Sequence, residues 1–178
     1  MRVAVLALAL LGCGSPAPTP TLSHFAADGI SFDYPSTWNA AKYMLPASFT
    51  SWIVFLSTEA LQDPCDRTSE TTECNRVAWA EPLQADGVYL TWTSRGWMSW
   101  VFKPTVGESI RVGNVQSTLE VISGEDWCLT MAGKTQVRVI TPSEAANNWT
   151  QMDACINGEF DGTVETQFRA MLASVEWD

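Results

Sequence analysis

The segment Ile30-Ser31-Phe32-Asp33-Tyr34 alternates apolar and polar side chains along its whole length. A period of two places successive side chains on opposite faces of a β-strand, so the segment predicts a strand buried on one face only. The turn signal Asp28-Gly29 comes directly before it, and Pro35 ends the pattern. This part of the fold is therefore expected to be a half-buried strand that follows a tight turn.

Further strand patterns follow at short spacing along the chain. Apolar or alternating runs of strand length occupy Ser51–Ser57, Val88–Thr93, Ser109–Val112, Val115–Ile122, Trp127–Met131, Thr135–Ile140 and Gln151–Ile156. The turn residues Gly113-Asn114 and Ala132-Gly133-Lys134 separate neighbouring runs and predict β-hairpins. Strands joined by hairpins are antiparallel, so the sheet is expected to be mostly antiparallel.

Helical periodicity is clear only near the end of the sequence. Apolar side chains at i, i+4, i+7, i+8 and i+11 form one helix face, and here they are Val164, Phe168, Met171, Leu172 and Val175. Asp161 or Thr163 can cap the start of this helix. A second, short helix is expected over Thr37–Tyr43 or residues 58–62. The predicted fold class is α+β: a mostly antiparallel sheet with flanking helices in a single domain.

The first twelve residues have the organisation of an export signal. A single charge at Arg2 precedes nine apolar residues, Val3–Leu11, and the small residue Gly12 lies before Cys13. The apolar run is too short for a bilayer, which needs roughly 20 residues. An ordinary signal peptide followed by a chance cysteine and a lipid-attachment site both fit this pattern.

The quartet Leu10-Leu11-Gly12-Cys13 resembles the lipobox of bacterial lipoproteins. The resemblance implies that residues 1–12 are a lipoprotein signal peptide, and that Cys13 carries diacylglycerol and an N-acyl chain such as palmitate. It also implies that the membrane is a partner through this lipid anchor, in the cell envelope and facing outside the cytoplasm. Two or more acyl chains make such anchoring stable.

Composition separates a tether from a folded part. Residues 13–23 hold three prolines and no acidic or basic side chain before the single His24, and they predict an extended, Pro-rich tether. Residues 24–178 are expected to form one globular domain, because the chain is 46% hydrophobic and 11% aromatic. The net charge of −10 repels phosphate backbones, so nucleic acid is not an expected partner.

Four cysteines remain once Cys13 is assigned to lipid. An even number in an exported domain predicts two disulfides, and four cysteines allow three connectivities. Cys65–Cys74 is favoured because the residues between them are polar and loop-like, which leaves Cys128–Cys155. A zinc site is the alternative, but it lacks C-x-x-C spacing, and the only histidine, His24, is expected to lie outside the fold. No metal or other cofactor is therefore predicted.

A family resemblance appears at both ends of the predicted domain. The run Gly29–Trp38, with Phe32-Asp33-Tyr34-Pro35 followed by Trp38, resembles the opening of PsbP-like domains. The run Phe168–Val175 resembles their closing helix. The resemblance implies an α/β/α sandwich around an antiparallel sheet and a non-catalytic binding or accessory role. It implies no ligand-binding residue, because the shared motifs are structural.

Catalytic signals are weak. With His24 as the only histidine, no Ser-His-Asp or Cys-His arrangement is expected, and no catalytic residue is assigned. Glycoside hydrolysis needs only two carboxylates, and the candidates are Glu125, Asp126, Asp153, Glu159 and Asp161, with solvated loops as the alternative. A calcium loop would use several carboxylates, and the acidic residues available are Glu59, Asp63, Asp66, Glu70 and Glu73. They lack the spacing of a known calcium loop.

Tryptophan is the residue type most in excess, with nine in the chain. Trp92 lies on a predicted strand and is expected in the core. Arg95, Trp97 and Trp100 are the candidate binding residues, because aromatic and arginine side chains are enriched at binding hot spots. Packing over one face of the sheet is the alternative for these rings.

The sequence indicates two candidate functions for the chain. The first is a non-enzymatic, lipid-anchored extracytoplasmic protein that binds an envelope protein or glycan whose identity the sequence leaves open. The second is a carbohydrate-binding module or weak glycosidase that uses surface tryptophans beside an acidic pair.

Overall fold

The first hairpin shows how local sequence determines the structure. Strands β1 (Leu22–Ala27) and β2 (Ile30–Pro35) pair in antiparallel register. The residues between them, Asp28 and Gly29, have φ angles of 57° and 76°. A type I′ turn requires positive φ at both central residues, and its twist matches that of the strands it joins. The turn predicted at Asp28-Gly29 is confirmed.

The structure, a computed structural model, describes residues 21–43, 50–63, 65–66, 73–74, 82–95, 106–142 and 149–178. Within these residues the further strands are β3 (Asn39–Ala41), β4 (Thr50–Ser57), β5 (Cys65–Asp66), β6 (Glu73–Cys74), β7 (Val88–Arg95), β8 (Glu108–Val112), β9 (Val115–Ser123), β10 (Thr135–Pro142), β11 (Trp149–Ile156) and β12 (Glu176–Trp177). The helices of the same residues are α1 (Asp126–Leu129) and α2 (Gly162–Ala173).

The described strands form one large sheet and two small ones. The large sheet has seven strands in the order β3-β4-β7-β11-β10-β9-β8, within the part of the chain described. A three-stranded sheet has the order β1-β2-β12, and β5 and β6 form a two-stranded ribbon. The strand pairs are antiparallel. The described residues thus form a mostly antiparallel sheet with two short helices in one domain, in agreement with the predicted α+β class.

The main core lies between the seven-stranded sheet and a cover made of the three-stranded sheet and α2. We call this side of the large sheet its core face; on β7 it carries Val88, Leu90 and Trp92, each at most 1% exposed. The ring of Phe32 on β2 packs against Trp92 with 5.1 Å between ring centroids. The period-two pattern of residues 30–34 therefore buries Phe32 as predicted, and Trp92 is a core residue.

The opposite side of the large sheet, its second face, has a smaller apolar cluster. Phe55 on β4 and Tyr89 on β7 are fully buried there. Met131 and the Cys128–Cys155 disulfide pack with them. A disulfide thus connects α1 to a central strand of the sheet, in agreement with the predicted pairing of these two cysteines.

The predicted strand at Trp127–Met131 is wrong, because this segment contains helix α1. The Glu125 carbonyl accepts hydrogen bonds from the backbone N–H groups of Cys128 and Leu129, at 2.8 Å and 3.0 Å. Cys128 and Met131 are buried, whereas Leu129 is 56% exposed. Burial at i and i+3 follows helical spacing, which a short apolar run does not distinguish from a strand. The hairpin predicted at Ala132-Gly133-Lys134 is therefore a helix-to-strand connection.

The short helix expected over Thr37–Tyr43 is also wrong. Asn39 to Ala41 form β3, which pairs with β4 at the edge of the large sheet. The Asn39 side-chain amide donates to the Glu59 carbonyl at 2.9 Å, and this contact holds the edge strand in place. The alternative site at residues 58–62 is not helical either. No helix of the described residues has the length and hydropathy needed to cross a membrane.

Candidate ligand-binding cavity

A cavity of about 870 Å³ lies at one end of the domain, where residues of both the small and the large sheet line it. Small-molecule sites are commonly clefts of roughly 300–1,000 Å³ with apolar walls and a few polar groups. The apolar lining residues include Ile30, Ile53, Val115, Pro142 and Trp177. The cavity therefore has the size of a ligand site, and its lining combines apolar with polar residues.

Hydroxyl side chains form one row of the cavity wall. Thr141 on β10 lies opposite Thr150 on β11, and Thr150 lies opposite Ser94 on β7. All three residues line the cavity. The next row of the core face lies two residues away along each strand, toward the middle of the sheet. That row is apolar and includes Met152 and Trp92. The core face thus changes from apolar to hydroxyl-bearing where the cavity begins.

The hydroxyl group of Thr150 is buried and has no hydrogen-bond partner among the described residues. Its neighbour Thr141 is bonded to the Ser117 hydroxyl at 3.0 Å. A buried polar atom without a partner costs about 1–3 kcal/mol and needs an explanation. The residue as a whole remains partly exposed and lines the cavity, so a molecule in the cavity is a candidate partner for this hydroxyl.

Trp177 forms a fixed part of the apolar wall. Its indole N–H donates to the Val112 carbonyl at 3.2 Å. Its ring meets the Trp92 ring edge to face, with 6.1 Å between centroids and an interplanar angle of 84°. Trp149 also lines the cavity, but strand alternation places its side chain on the second face of the sheet. Trp177 is therefore the indole that the cavity presents to an occupant.

The charged residues that line the cavity are carboxylates. Asp28 lies in the β1–β2 turn, and the Asp178 backbone N–H donates to the Gly29 carbonyl at 3.1 Å, which places Asp178 beside that turn. The Lys42 ammonium lies 2.6 Å from an Asp28 carboxylate oxygen. Both side chains of this ion pair are over 40% exposed, at 41% and 45%. The described lining residues include no lysine, arginine or histidine.

A second polar cluster occupies the second face of the large sheet. The Asp153 carboxylate accepts hydrogen bonds from Arg138 Nε at 2.8 Å and Gln151 Nε2 at 2.5 Å. Gln136 Nε2 lies 3.4 Å from the same carboxylate. Burial lowers the pKa of Arg138, but the hydrogen bond and charge of Asp153, helped by Glu125 and Glu120, raise it overall above its ordinary value. Arg138 therefore stays charged and holds Asp153.

The acidic residues considered for glycoside hydrolysis occupy two kinds of environment: an ion-pair network and exposed positions. Glu125 Oε2 lies 3.7 Å from Arg138 Nη2, so Glu125 and Asp153 contact the same guanidinium. Asp126, Glu159 and Asp161 are exposed. An arginine between two carboxylates leaves no room for a sugar ring at that point. Glu125 and Asp153 are thus better explained as an ion-pair network than as an acid and a base.

His24 lies within the fold and not outside it. It is on β1, with its side chain 62% exposed, and its Nδ1 is 2.8 Å from Asp33 Oδ1. The Ser174 hydroxyl accepts from the Asp33 backbone N–H at 2.9 Å and donates to the Met171 carbonyl at 2.8 Å. Because that hydroxyl bonds backbone atoms, these residues do not form a nucleophile–base pair.

The acidic residues considered for calcium are not brought together as far as the structure describes them. Asp63 accepts a hydrogen bond from the Cys65 backbone N–H at 2.9 Å, and Glu59 contacts Thr58 and Gln84. The side chains of the other three candidates lie outside the described part of the chain. No group of three or more histidine, cysteine, aspartate or glutamate side chains suited to a metal ion occurs among the described residues.

Several predicted site residues lie outside the described residues or side chains. These include Cys13, Trp97 and Trp100, while Arg95 is described as backbone at the end of β7, directly after the cavity residue Ser94. Cys65 is disulfide-bonded and lies opposite Cys74 in the register of β5 and β6.

Sequence reasoning missed the cavity. Asp28 was predicted only as a turn residue, and Trp177 lies outside every motif. One signal was available: hydroxyl side chains replace apolar ones near the ends of three predicted strands, at Ser94, Thr141 and Thr150. These residues can be assigned to one cavity wall only when the order of the strands in the sheet is known.

Comparisons with known proteins add little to this picture. No protein-family model matches the sequence, and no curated protein matches it. Among solved structures, the chain has a partial similarity to a protein from Bacteroides thetaiotaomicron, with a TM-score of 0.44 and 8% sequence identity. The match covers 87% of this chain and 48% of that protein, so the chain spans about half the length of the structure it matches.

Proposed function

We propose that this chain is a lipid-anchored, extracytoplasmic binding or accessory lipoprotein with a PsbP-like fold. In this proposal Cys13 attaches it to the membrane, and the domain binds an envelope component without transforming it. The cavity beside the Thr141–Thr150–Ser94 row is the observation that carries the binding role. A concave, partly apolar site with convergent polar groups is the usual form of a ligand pocket.

The settings of the candidate catalytic groups favour binding over turnover. Asp153 receives donors from three side chains. The exposed His24–Asp33 pair bridges β1 and β2, and no nucleophile of the described residues is bonded to His24. Neither group is among the cavity-lining residues. A ligand in the cavity would therefore meet hydroxyl, indole and carboxylate groups rather than an activated nucleophile.

The anchor is tested by replacing the lipid-accepting cysteine. In cells fed a labelled palmitate analogue, the wild-type chain should be labelled and sediment with membranes. The variant Cys13→Ala should lose the label, and Ser15→Ala, a neighbouring change, should keep it. A labelled or membrane-bound Cys13→Ala chain would contradict the anchor.

The binding role is tested by photo-crosslinking on intact cells. A photoreactive amino acid at Asn114, which is exposed and lines the cavity, should give a discrete adduct with an envelope component. The same amino acid at Thr166, exposed on α2, serves as the control. Adducts that are identical at both positions, or absent at both, would reject the cavity as a binding site. Trp97→Ala and Trp100→Ala in the Asn114 background test whether those residues contribute.

A carbohydrate-binding module is the second candidate. The hydroxyl row and the Trp177 indole favour it, because sugars present both hydroxyl groups and apolar C–H faces. A glycan array separates the two candidates: retention of a defined saccharide class supports the carbohydrate role, and silence supports another kind of envelope ligand.

A further inference from the structure

We propose that the cavity binds an organic ammonium ion with an apolar body, and that Lys42 competes with this ligand for Asp28. The inference rests on the proposed binding function and names the class of ligand. Its charged end would lie at Asp28 and Asp178, and its apolar part would lie against the wall that contains Trp177.

The charged residues that line the cavity indicate the sign of the charge that a ligand should carry. Asp28 and Asp178 contribute carboxylates, while the described lining residues contribute no cationic side chain. The whole chain has a net charge of −10, which adds a long-range field of the same sign. Such a field attracts cations to the mouth of the cavity and repels anions. An anionic ligand is therefore the least suited occupant.

The size and the walls of the cavity select an organic cation over a metal ion. A single ion would leave most of about 870 Å³ unfilled. Ile30 and Ile53 are almost fully buried, so the apolar surface open to an occupant comes from partly or fully exposed lining residues: Val115, Pro142 and Trp177. Apolar groups gain free energy when they leave water for such a wall, and an indole also attracts cations. A ligand with a cationic end and an apolar body uses both kinds of surface.

The hydroxyl row provides acceptors for an ammonium group. A primary ammonium carries three N–H donors and no acceptor. Ser94 and Thr150 line the same cavity as Asp28 and Asp178, and their hydroxyl groups can accept from such a donor. The ligand would thereby give the buried Thr150 hydroxyl the partner that it lacks among the described residues.

Lys42 already supplies a cation at this place. Its ammonium lies 2.6 Å from Asp28, but the pair is more than 40% exposed on both sides, at 41% and 45%. Exposed ion pairs contribute little to stability, so a ligand ammonium can displace Lys42. Removing Lys42 should then increase affinity, whereas removing the Asp28 charge should decrease it. Opposite effects from the two halves of one ion pair would distinguish competition from simple loss of structure.

Three probes with the same alkyl body isolate the effect of charge: hexylammonium, hexanol and hexanoate. Binding to the full chain in detergent at constant ionic strength is followed by tryptophan fluorescence and calorimetry. Hexylammonium should bind about tenfold more tightly than hexanol, from two partly exposed charge contacts of about three- to fivefold each. Hexanoate should bind more weakly than hexanol. Equal affinity for hexylammonium and hexanol, or preference for hexanoate, would overturn the proposal.

The variants locate the effect within the cavity. Asp28→Asn keeps a residue that tolerates positive φ, and it should weaken hexylammonium about three- to fivefold while leaving hexanol unchanged. Lys42→Gln should tighten hexylammonium. Asp86→Asn is the matched control, because Asp86 also has positive φ, at 60°, is exposed, and does not line the cavity. An unchanged affinity in both Asp28→Asn and Lys42→Gln would reject the assignment.

Crosslinking at Asn114 and binding of hexylammonium test the binding role and the ligand class separately. A site-dependent adduct at Asn114 without hexylammonium binding would mean that the ligand class is wrong while the binding role stands. If both experiments fail, the cavity is not a binding site.

Discussion

The Cys128 and Cys155 sulfurs are bonded in the interior, with their Cα atoms 5.3 Å apart and both residues fully buried. This bond fixes the short helix α1 on the central strand β11. In the cross-linking model it restricts the unfolded chain over a sequence separation of 27 residues. A four-residue helix is too short to be stable by itself, so the bond explains why α1 persists.

Removing this disulfide should cost more stability than removing a shorter one. The double variant Cys128→Ala/Cys155→Ala should lose about 3.6 kcal/mol, from the loop-closure model, in chemical denaturation. The predicted Cys65–Cys74 disulfide closes a shorter loop, so the double variant Cys65→Ala/Cys74→Ala should lose about 2.7 kcal/mol by the same model. The reverse order of the two losses would contradict the loop-closure account.

Gly133 is predicted to be intolerant of a side chain. A Cβ atom added there would collide with both disulfide sulfurs and would lie 3.0 Å from the Cys128 carbonyl oxygen. Gly133→Ala should therefore destabilise the domain by about 1–3 kcal/mol, the usual cost of overpacking a core. Thermal or chemical unfolding measures this. The same change in the Cys128→Ala/Cys155→Ala background is the control, and its cost should be smaller because the sulfur atoms are gone.

The sequence predicted those parts of the fold whose pattern is local. Alternation marked β2, and runs of strand length marked β7 and β11. Turn residues marked the turn at Asp28-Gly29 and the hairpin at Gly113-Asn114. At Gly113, with φ of 57°, a Cβ would also collide with the Val175 carbonyl oxygen, so glycine is needed for packing as well.

What the sequence did not predict depends on distant partners. The two residues of β12 form a strand only because β2 lies beside them, and α1 forms where Cys155 holds Cys128. The cavity depends on the order of strands in the large sheet, which places Thr141, Thr150 and Ser94 in one row. No local pattern contains that order, so the site could not be assigned from spacing alone.

Asp153 is predicted to be a structural residue whose charge is needed for stability. Its side chain is 16% exposed and that of Arg138 is 18% exposed, so both are largely removed from water. Asp153→Asn keeps the size but leaves the guanidinium without its main counter-charge, and it should cost about 1.5–3 kcal/mol. Glu125→Gln should cost less than about 1 kcal/mol, because that carboxylate is 52% exposed and lies 3.7 Å away. Equal losses in the two variants would contradict this ranking.

Glu108 should make stability depend on pH in the acidic range. The Arg169 guanidinium donates to both Glu108 carboxylate oxygens, at 3.1 Å and 2.6 Å, and this hydrogen bonding lowers the pKa of Glu108 below its usual value of 4.5. A carboxyl with a lower pKa in the folded state binds fewer protons than in the unfolded state. Its contribution is therefore present above pH 4.5 and is lost as the pH falls through the folded-state pKa.

The size of this contribution is limited by solvent, because the Glu108 side chain is 53% exposed, and it should stay below about 1 kcal/mol. Unfolding free energies determined at acidic and at neutral pH, on either side of the usual pKa of 4.5, measure it. Glu108→Gln should lower stability at neutral pH and leave the acid end unchanged, since the charge is already lost there. Glu159→Gln, at an exposed position without an ion pair among the described residues, is the control and should leave the whole profile unchanged. If Glu108→Gln lowered stability equally at both ends of the range, packing of the side chain and not its charge would be the cause.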